Sequence, residues 1–422
     1  MVYAHPQSIL MNQIIKFIPY SIKSRTYKLN MENECPFWAQ QRMCNSNKCS
    51  ICECSENEIP VFWKKHQQSK DQKVFDQMLE VSSTTKDCPT SNEWCHQDEH
   101  DSKSIYVNLE KNKESYTAYD GMEVWRAIYK ENCMIEKLQS LDMSNTCSEE
   151  TLLYQLISGF HASVNMHVSK NFFDQKTHSF SPNHAMYLNS LGLHPDRIKN
   201  LFFLYAVILR AINRASPILN AYDYDTQLDK EQDKETPELM KQILAMTLSH
   251  CEEPFKEKNL FIRIENDFEQ EVLLKNIQTK FYNISRILDC VGCEKCRLNG
   301  KLQMKGVGTA MKLLFSTSQN QQYVNIKRTE IIALVNTLFK LSESLEFYRE
   351  FKQHEKNSDR QLEFLKYIVS LLVIITAFLI DRIRQKRISR RTSNQKLSNS
   401  GAQVHNTKIA NNDENLESKK MK

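Results

Sequence analysis

Glycine and proline are scarce in this chain, 8 and 10 of 422 residues, against roughly 7% and 5% in average usage. The shortage argues against tight-turned sheets and collagen-like or low-complexity repeats, and favours helices built from Leu, Ile, Lys and Glu. No alternating stretch is long enough to anchor a sheet, and no internal repeat is present. The single glycine-rich string, Gly306-Val-Gly308-Thr-Ala-Met311, lacks a third glycine and a preceding strand. It therefore fails the dinucleotide fingerprint, and no Rossmann unit is expected.

Cysteine is what the chain does have, 13 in all. Cys35, Cys44, Cys49, Cys52 and Cys54 crowd the start; Cys88, Cys95, Cys133 and Cys147 are scattered behind them; Cys251 stands alone. Cys290, Cys293 and Cys296 form the run CVGCEKC. On spacing alone that run admits a redox disulfide at a helix start, a zinc site or plain structural cysteines. Zinc needs a fourth ligand, and a ferredoxin run needs a cysteine where Gly300 stands. No cysteine spacing repeats as metal modules would require, and scattered cysteines in a chain of this size suit an oxidising compartment.

Hydrophobic periodicity predicts helices over 152–168, 200–212, 268–288 and 329–351, with an amphipathic stretch over 298–315. The polar stretches 82–104 and 221–237 read as loops or insertions. The end of the chain differs in kind. Residues 367–380 carry no charge, and Phe364 and Leu365 lengthen the run. Fourteen residues rise only about 21 Å, short of the roughly 30 Å hydrocarbon core, but Lys366 can snorkel. A buried core helix is the alternative, although no domain-sized sequence follows to bury it. A transmembrane helix over 364–381 is expected. From Arg382 onward there are 11 Lys/Arg and 3 Asp/Glu, an excess of +8 that leaves the first 381 residues at −3. That asymmetry puts the tail, 382–422, in the cytoplasm and the large domain in the lumen. The tail is polar, poor in aromatics and expected to be disordered. Lys419 and Lys420 resemble a dilysine retrieval signal. A lumenal domain needs a signal sequence, yet residues 1–34 offer only the short, broken stretch 14–22, so either the true start lies upstream or the span itself serves in targeting.

The longer motifs carry a family resemblance. CPFW at Cys35–Trp38 is followed by Cys44, Cys49 and Cys54, YVNL at Tyr106, YTAYDG at Tyr116, VWRAIYKENC ending at Cys133, LISGFHAS at Leu156–Ser163, NLFFLY and LRA within 200–211, NISRILDCVGCEKCRLNGKLQ at Asn283–Gln303, and GVGTAMKLLF. In order and spacing the chain resembles the endoplasmic reticulum oxidoreductins, flavin-dependent thiol oxidases, from about Cys35 to Phe351.

The resemblance implies a mainly α fold: a single helical catalytic domain over 35–355 that holds flavin between helices, after an N-terminal segment, 1–34. The stretch from Cys35 is expected to be loop-rich and disulfide-bonded. It implies an active-site pair, Cys293 and Cys296, and a shuttle pair, Cys44 and Cys49. It implies structural bridges Cys35–Cys290 and Cys133–Cys147, and regulatory cysteines at Cys54 and Cys88; Cys52 and Cys251 have no counterpart. Thr117, Trp125, Ser158, His161 and Arg210 fall on flavin positions. Ser158 and His161 lie i, i+3 on one helix face, Trp125 suits stacking on a planar ring, and Arg210 suits a diphosphate.

FAD as cofactor, protein disulfide isomerase as partner and oxygen as acceptor follow from the same resemblance, at the endoplasmic reticulum membrane; no metal and no nucleic acid is expected. Two departures stand out. Ser115 replaces an arginine of the family, and a second arginine after Arg210 is absent, with Arg214 one turn along as a substitute. The alternative readings are a flavin-deficient, redox-regulated scaffold or a zinc-binding membrane adaptor. Asn283-Ile-Ser285 is the sequence's one N-x-S/T sequon and marks a glycosylation position on the lumenal side.

Overall fold

The computed structural model describes residues 26–32, 35, 37, 49–61, 63–64, 103–113, 121–134, 148–174, 176–224, 230–250, 267–315 and 326–417. The chain forms two compact units, Met1–Phe351 and Lys352–Lys422. The first is helical, as composition and periodicity predict. Its elements are α1 (Gly121–Glu131), α2 (Ser148–Lys170), the short α3 (His184–Tyr187) with a π turn after it, α4 (Pro195–Arg214), α5 (Ser216–Ala221), α6 (Lys230–His250), α7 (Asp267–Leu288) and α8 (Glu294–Phe315). The last helix, α9 (Arg328–Glu417), begins in this unit.

The core is the α2–α4 pair, with α8 and the start of α9 packed on it. Helix α4 starts with Pro195 at its first position, where a missing N–H is harmless. It then buries Leu201, Leu204, Tyr205, Val207, Ile208, Ala211 and Ile212. Helix α2 presents Leu153, Leu156, Ile157 and Phe160 to the same core. Two glycines set the helix separations. A Cβ on Gly159 would lie 2.9 Å from the Leu204 Cβ and clash with the Asn200 carbonyl. A Cβ on Gly306 of α8 would lie 2.5 Å from the Ala333 carbonyl oxygen and 2.8 Å from the Thr337 Cβ of α9. Both helix pairs therefore approach closer than any larger residue permits. Polar stitches fix the register: the Ser163 and Ser344 hydroxyls pair at 2.7 Å, and Lys312 of α8 meets buried Glu330 of α9 at 3.1 Å.

Several features differ from the sequence expectation. The stretch 221–237, expected as a loop, is helical from Lys230, and Pro237 sits inside α6. Polarity there reflects exposure rather than irregular backbone, and Glu231 and Asp233 in the first turn favour the helix dipole. Most of the other expected loop, 82–102, lies outside the described residues. Second, residues 26–31, part of the segment 1–34 set apart from the catalytic domain, contribute to its core. Strand β1 (Thr26–Leu29) pairs antiparallel with β2 (Ile105–Asn108), Thr26 opposite Asn108 and Leu29 opposite Ile105. Tyr27, Leu29 and Val107 pack with Leu298 and Leu302 of α8 and Ile332 and Ala333 of α9. Pairing partners that range from Leu29 with Ile105 to Thr26 with Asn108 lie too far apart in sequence to leave a local hairpin signal. A small ribbon, β3 (Phe172–Asp174) with β4 (Ser179–Ser181), follows α2.

In the second unit α9 continues through the apolar stretch and on to Glu417, so the tail, expected to be disordered, is helical through that residue because the helix runs on from the span without a proline to break it. It is the one helix among the described residues that is long and apolar enough to cross a membrane, with a window of mean hydropathy 2.2, none of it buried.

Candidate active site

The CVGCEKC run straddles the turn between α7 and α8. Cys290 is disulfide-bonded to Cys35 with Cα atoms 4.6 Å apart. Cys293 is bonded to Cys296 with Cα atoms 5.1 Å apart. All three sulfurs of the run are thus engaged in disulfides, and none offers a thiolate to a metal. Cys293 immediately precedes α8, and its Sγ accepts the Cys296 N–H at 3.2 Å, while its carbonyl accepts the first helical bond, from the Arg297 N–H, at 2.8 Å. This is an N-cap arrangement with sulfur as the acceptor. Once the disulfide is reduced, the helix N-terminus stabilises a thiolate there. Both cysteines are buried, at 6% and 9% exposure, so chemistry at this pair needs a delivered partner.

Cys49 lies next to this pair. It packs against the cluster of Cys293, Cys296 and Val168, together with Val164 and Met186. Its carbonyl accepts the Lys295 N–H at 3.2 Å, and the next hydrogen bond along joins the Ile51 N–H to Glu294 Oε2 at 3.1 Å. Arg297, buried beside them, spans two segments by donating to the Met31 carbonyl at 2.7 Å and the Asp289 carbonyl at 3.3 Å. Burial lowers its pKa, opposed by Asp289, Glu294 and Cys49.

A second cluster lies along the same face of α2. Trp125 of α1 stacks on His161 with ring centroids 4.1 Å apart and planes 17° apart. The Tyr129 hydroxyl pairs with His161 Nδ1 at 3.1 Å, and Ser158 Oγ accepts from Asn200 Nδ2 at 2.9 Å. Burial first, then the Arg197 charge, hold the His161 imidazole well below its usual pKa, so it is neutral at neutral pH. His161, Val164 and Val168 are spaced i, i+3, i+7, one stripe of one helix. The two valines touch the cysteine cluster. The stripe of α2 that carries His161 thus continues through Val164 and Val168 to the Cys293–Cys296 cluster, against which Cys49 also packs.

The remaining expected residues fall as follows. Arg210 lies half-buried on α4, thirteen positions along from Arg197, or about 20 Å at the helical rise. The cation whose charge acts on His161 is Arg197, which stands in the first turn of α4 between Asp196 and Lys199 and so gives no sequence signal of its own. Arg214 donates to the Leu314 carbonyl at 2.7 Å, at the end of α8. Cys54 is half-buried, its thiol pushed up to about 11 by burial and by Glu58. Cys133 carries an exposed thiol on a backbone with φ 56°. Asn283 is half-buried within α7, in a helix rather than a surface loop. Cys44, Cys88, Cys147 and Thr117 lie outside the described residues, as do Cys95, Ser115 and Cys251.

The donor set around His161 fits a flat, polar-edged ring system. It offers an indole face, a phenol, a neutral imidazole and a serine hydroxyl, with Arg197 next to them. Arg210, farther along α4, suits an anionic chain.

Comparison with known proteins places this geometry in context. The family described as Endoplasmic Reticulum Oxidoreductin 1 (ERO1) matches residues 12–348. Endoplasmic reticulum oxidoreductin-1 of Arabidopsis thaliana is 38% identical over 348 residues, 77% of this chain and 72% of the relative. ERO1-like protein alpha of Homo sapiens is 31% identical over 395 residues, 79% of this chain and 84% of the relative. The solved structure of Ero1p, described as the source of disulfide bonds for oxidative protein folding in the cell, is similar in fold with a TM-score of 0.56 at 24% identity. The likeness covers 83% of this chain and 98% of that one.

Proposed function

The chain belongs to the endoplasmic reticulum oxidoreductin family, oxidoreductases of disulfide formation, and on that premise we propose that it is a flavin-dependent thiol oxidase acting on protein disulfide isomerase. The observation that carries the reading is the packing of Cys49 on the Cys293–Cys296 cluster, which shares a stripe of α2 with His161 of the Trp125–His161 stack.

The relay runs by thiol–disulfide exchange. A thiolate of the reduced isomerase attacks the Cys44–Cys49 disulfide, and its second thiol resolves the mixed disulfide, leaving Cys44 and Cys49 reduced. The Cys49 thiolate then attacks Cys293, forming a Cys49–Cys293 bond and releasing Cys296 as thiolate. Cys44 attacks Cys49, restores the shuttle disulfide and frees Cys293. Burial of the active-site pair keeps bulky thiols away, so electrons enter through Cys49. Trp125, Ser158, His161 and Arg210, with Arg197, would hold FAD, and Thr117 is the further family position. Bound there, FAD supplies the two-electron acceptor for the Cys296 thiolate, and its reoxidation by oxygen yields hydrogen peroxide. The neutral His161 and the Tyr129 hydroxyl offer hydrogen bonds without adding a buried charge.

The test is a spectrum and a turnover. The purified full chain should be yellow and consume oxygen with reduced isomerase; Cys296→Ala should abolish consumption with any dithiol, Cys49→Ala only with the protein substrate. A colourless protein, or normal turnover in the Cys296 variant, would overturn the assignment.

The second unit supports a membrane-anchored placement: a span over 364–381, the catalytic unit in the lumen and the basic tail in the cytoplasm.

A further inference from the structure

The two residues between the active-site cysteines, Glu294 and Lys295, do more than space them. Lys295 lies in the first turn of α8, where backbone N–H groups have no helical acceptor. Its N–H is capped by the Cys49 carbonyl at 3.2 Å. Glu294 is exposed, yet its Oε2 reaches back to accept the Ile51 N–H at 3.1 Å. Adjacent residues of α8 thus grip the Cys49 segment on either side of Ser50, one through a backbone donor and one through a side-chain acceptor. Both bonds hold the sulfur of Cys49 against Cys293 and Cys296.

A shuttle has two tasks: to meet a partner outside and to deliver electrons inside. Delivery to a buried disulfide needs the sulfurs held in register, and a misplacement of about 1 Å is costly to transfer. From this geometry we infer that Glu294 is a positioning residue, a latch that holds the Cys49 segment docked on the N-terminus of α8 for electron transfer to Cys293–Cys296. The inference rests on the reading of Cys44 and Cys49 as the shuttle. The chemistry of the step is unchanged: the Cys49 thiolate forms one S–S bond as the Cys293–Cys296 bond breaks, and the electron pair leaves on the departing sulfur. Glu294 sets only how often Cys49 is in place. A small dithiol that reaches the active-site pair directly has no use for the latch.

The experiment compares Glu294→Ala, Glu294→Gln and Cys49→Ala in the flavin-loaded full chain, with reduced isomerase and with dithiothreitol. Glu294→Ala should lower kcat for reduced isomerase about five- to tenfold, the scale of one lost solvent-exposed hydrogen bond. KM should stay unchanged, and turnover of dithiothreitol should remain within about twofold. Glu294→Gln keeps an acceptor oxygen and should recover most of the loss. A flavin-independent readout uses the Cys44→Ala background, in which the mixed disulfide between Cys49 and the active-site pair accumulates. Its fraction, read by alkylation and peptide mass spectrometry, should fall with Glu294→Ala. An equal loss with both reductants, or an unchanged mixed-disulfide fraction, would overturn the latch while leaving the shuttle intact. Unimpaired isomerase turnover in Cys49→Ala would instead overturn the shuttle reading, and the latch with it.

Discussion

Gly159 and Gly300 sit inside helices, and replacing either with alanine should have opposite consequences. Relative to alanine, a helical glycine costs about 0.5–1 kcal/mol, so the substitution is favourable wherever a methyl group fits. At Gly300 it fits: the new Cβ would meet the Leu288 Cδ2 at 3.7 Å, ordinary van der Waals contact. At Gly159 it does not, because the Asn200 carbonyl and the Leu204 Cβ, 2.9 Å away, already occupy the space. Helices α2 and α4 must separate, at an overpacking cost of about 1–3 kcal/mol. Separation also stretches the buried Ser158–Asn200 hydrogen bond, now 2.9 Å, worth about 1 kcal/mol. Against the propensity gain, Gly159→Ala should be less stable by about 1–3 kcal/mol. At a per-residue unfolding entropy near 2.1 cal/mol/K, a unit of this size shifts about 1.4 °C per kcal/mol. Thermal unfolding of the full chain in detergent should thus fall by about 1–4 °C for Gly159→Ala and rise by about 1 °C for Gly300→Ala. Fluorescence should change as well in Gly159→Ala, since Trp125 stacks on His161 two residues away. Equal or raised stability in Gly159→Ala would refute the close approach of α2 and α4, and with it the placement of Ser158 and His161.

His161 is buried neutral, so its folded pKa lies below the unfolded value near 6.5 and its contribution to stability is present above that pH and lost as pH falls. Between pH 7.5 and 5.5 denaturant unfolding should lose on the order of 1 kcal/mol through this residue, and His161→Gln should remove that part of the slope; identical pH profiles would contradict the neutral imidazole. The Cys54 thiol, pushed up to about 11, should alkylate at pH 8 on the order of a hundredfold slower than an ordinary thiol with pKa near 8.5, as time-resolved iodoacetamide labelling with peptide mass spectrometry would establish. Glu58→Gln removes one of the charges that raises it and should speed the labelling; no change would point to burial alone. Protease added to sealed microsomes should clip only the tail beyond the span, and digestion of the catalytic unit would reverse the proposed orientation.

Much of this protein is legible before folding. Scarce glycine and proline, and apolar residues at helical spacing, determine helices close to α2, α4, α7 and α8, because local periodicity fixes which face a helix must bury. The CVGCEKC run at a helix start determines where a short-range disulfide can form, since three residues apart is within reach of a single turn. The length and charge flanks of the apolar stretch in α9 are likewise local properties. Other features have no local signature. The strand at Thr26–Leu29 exists through a partner strand, Ile105–Asn108, that lies far along the chain, and a helix with proline inside it, α6, reads as a loop by composition. Whether a glycine is required depends on what lies across the interface, which separates Gly159 from Gly300 although both are helical. The same holds for the site. The sequence supplies Trp125, His161 and Cys49 as residue types. Only the packing of α1, α2, α4 and α8 sets Arg197 beside His161, and only the docking of residues 49–51 gives Glu294 something to hold, because long-range contacts belong to the folded surface and not to the order of residues.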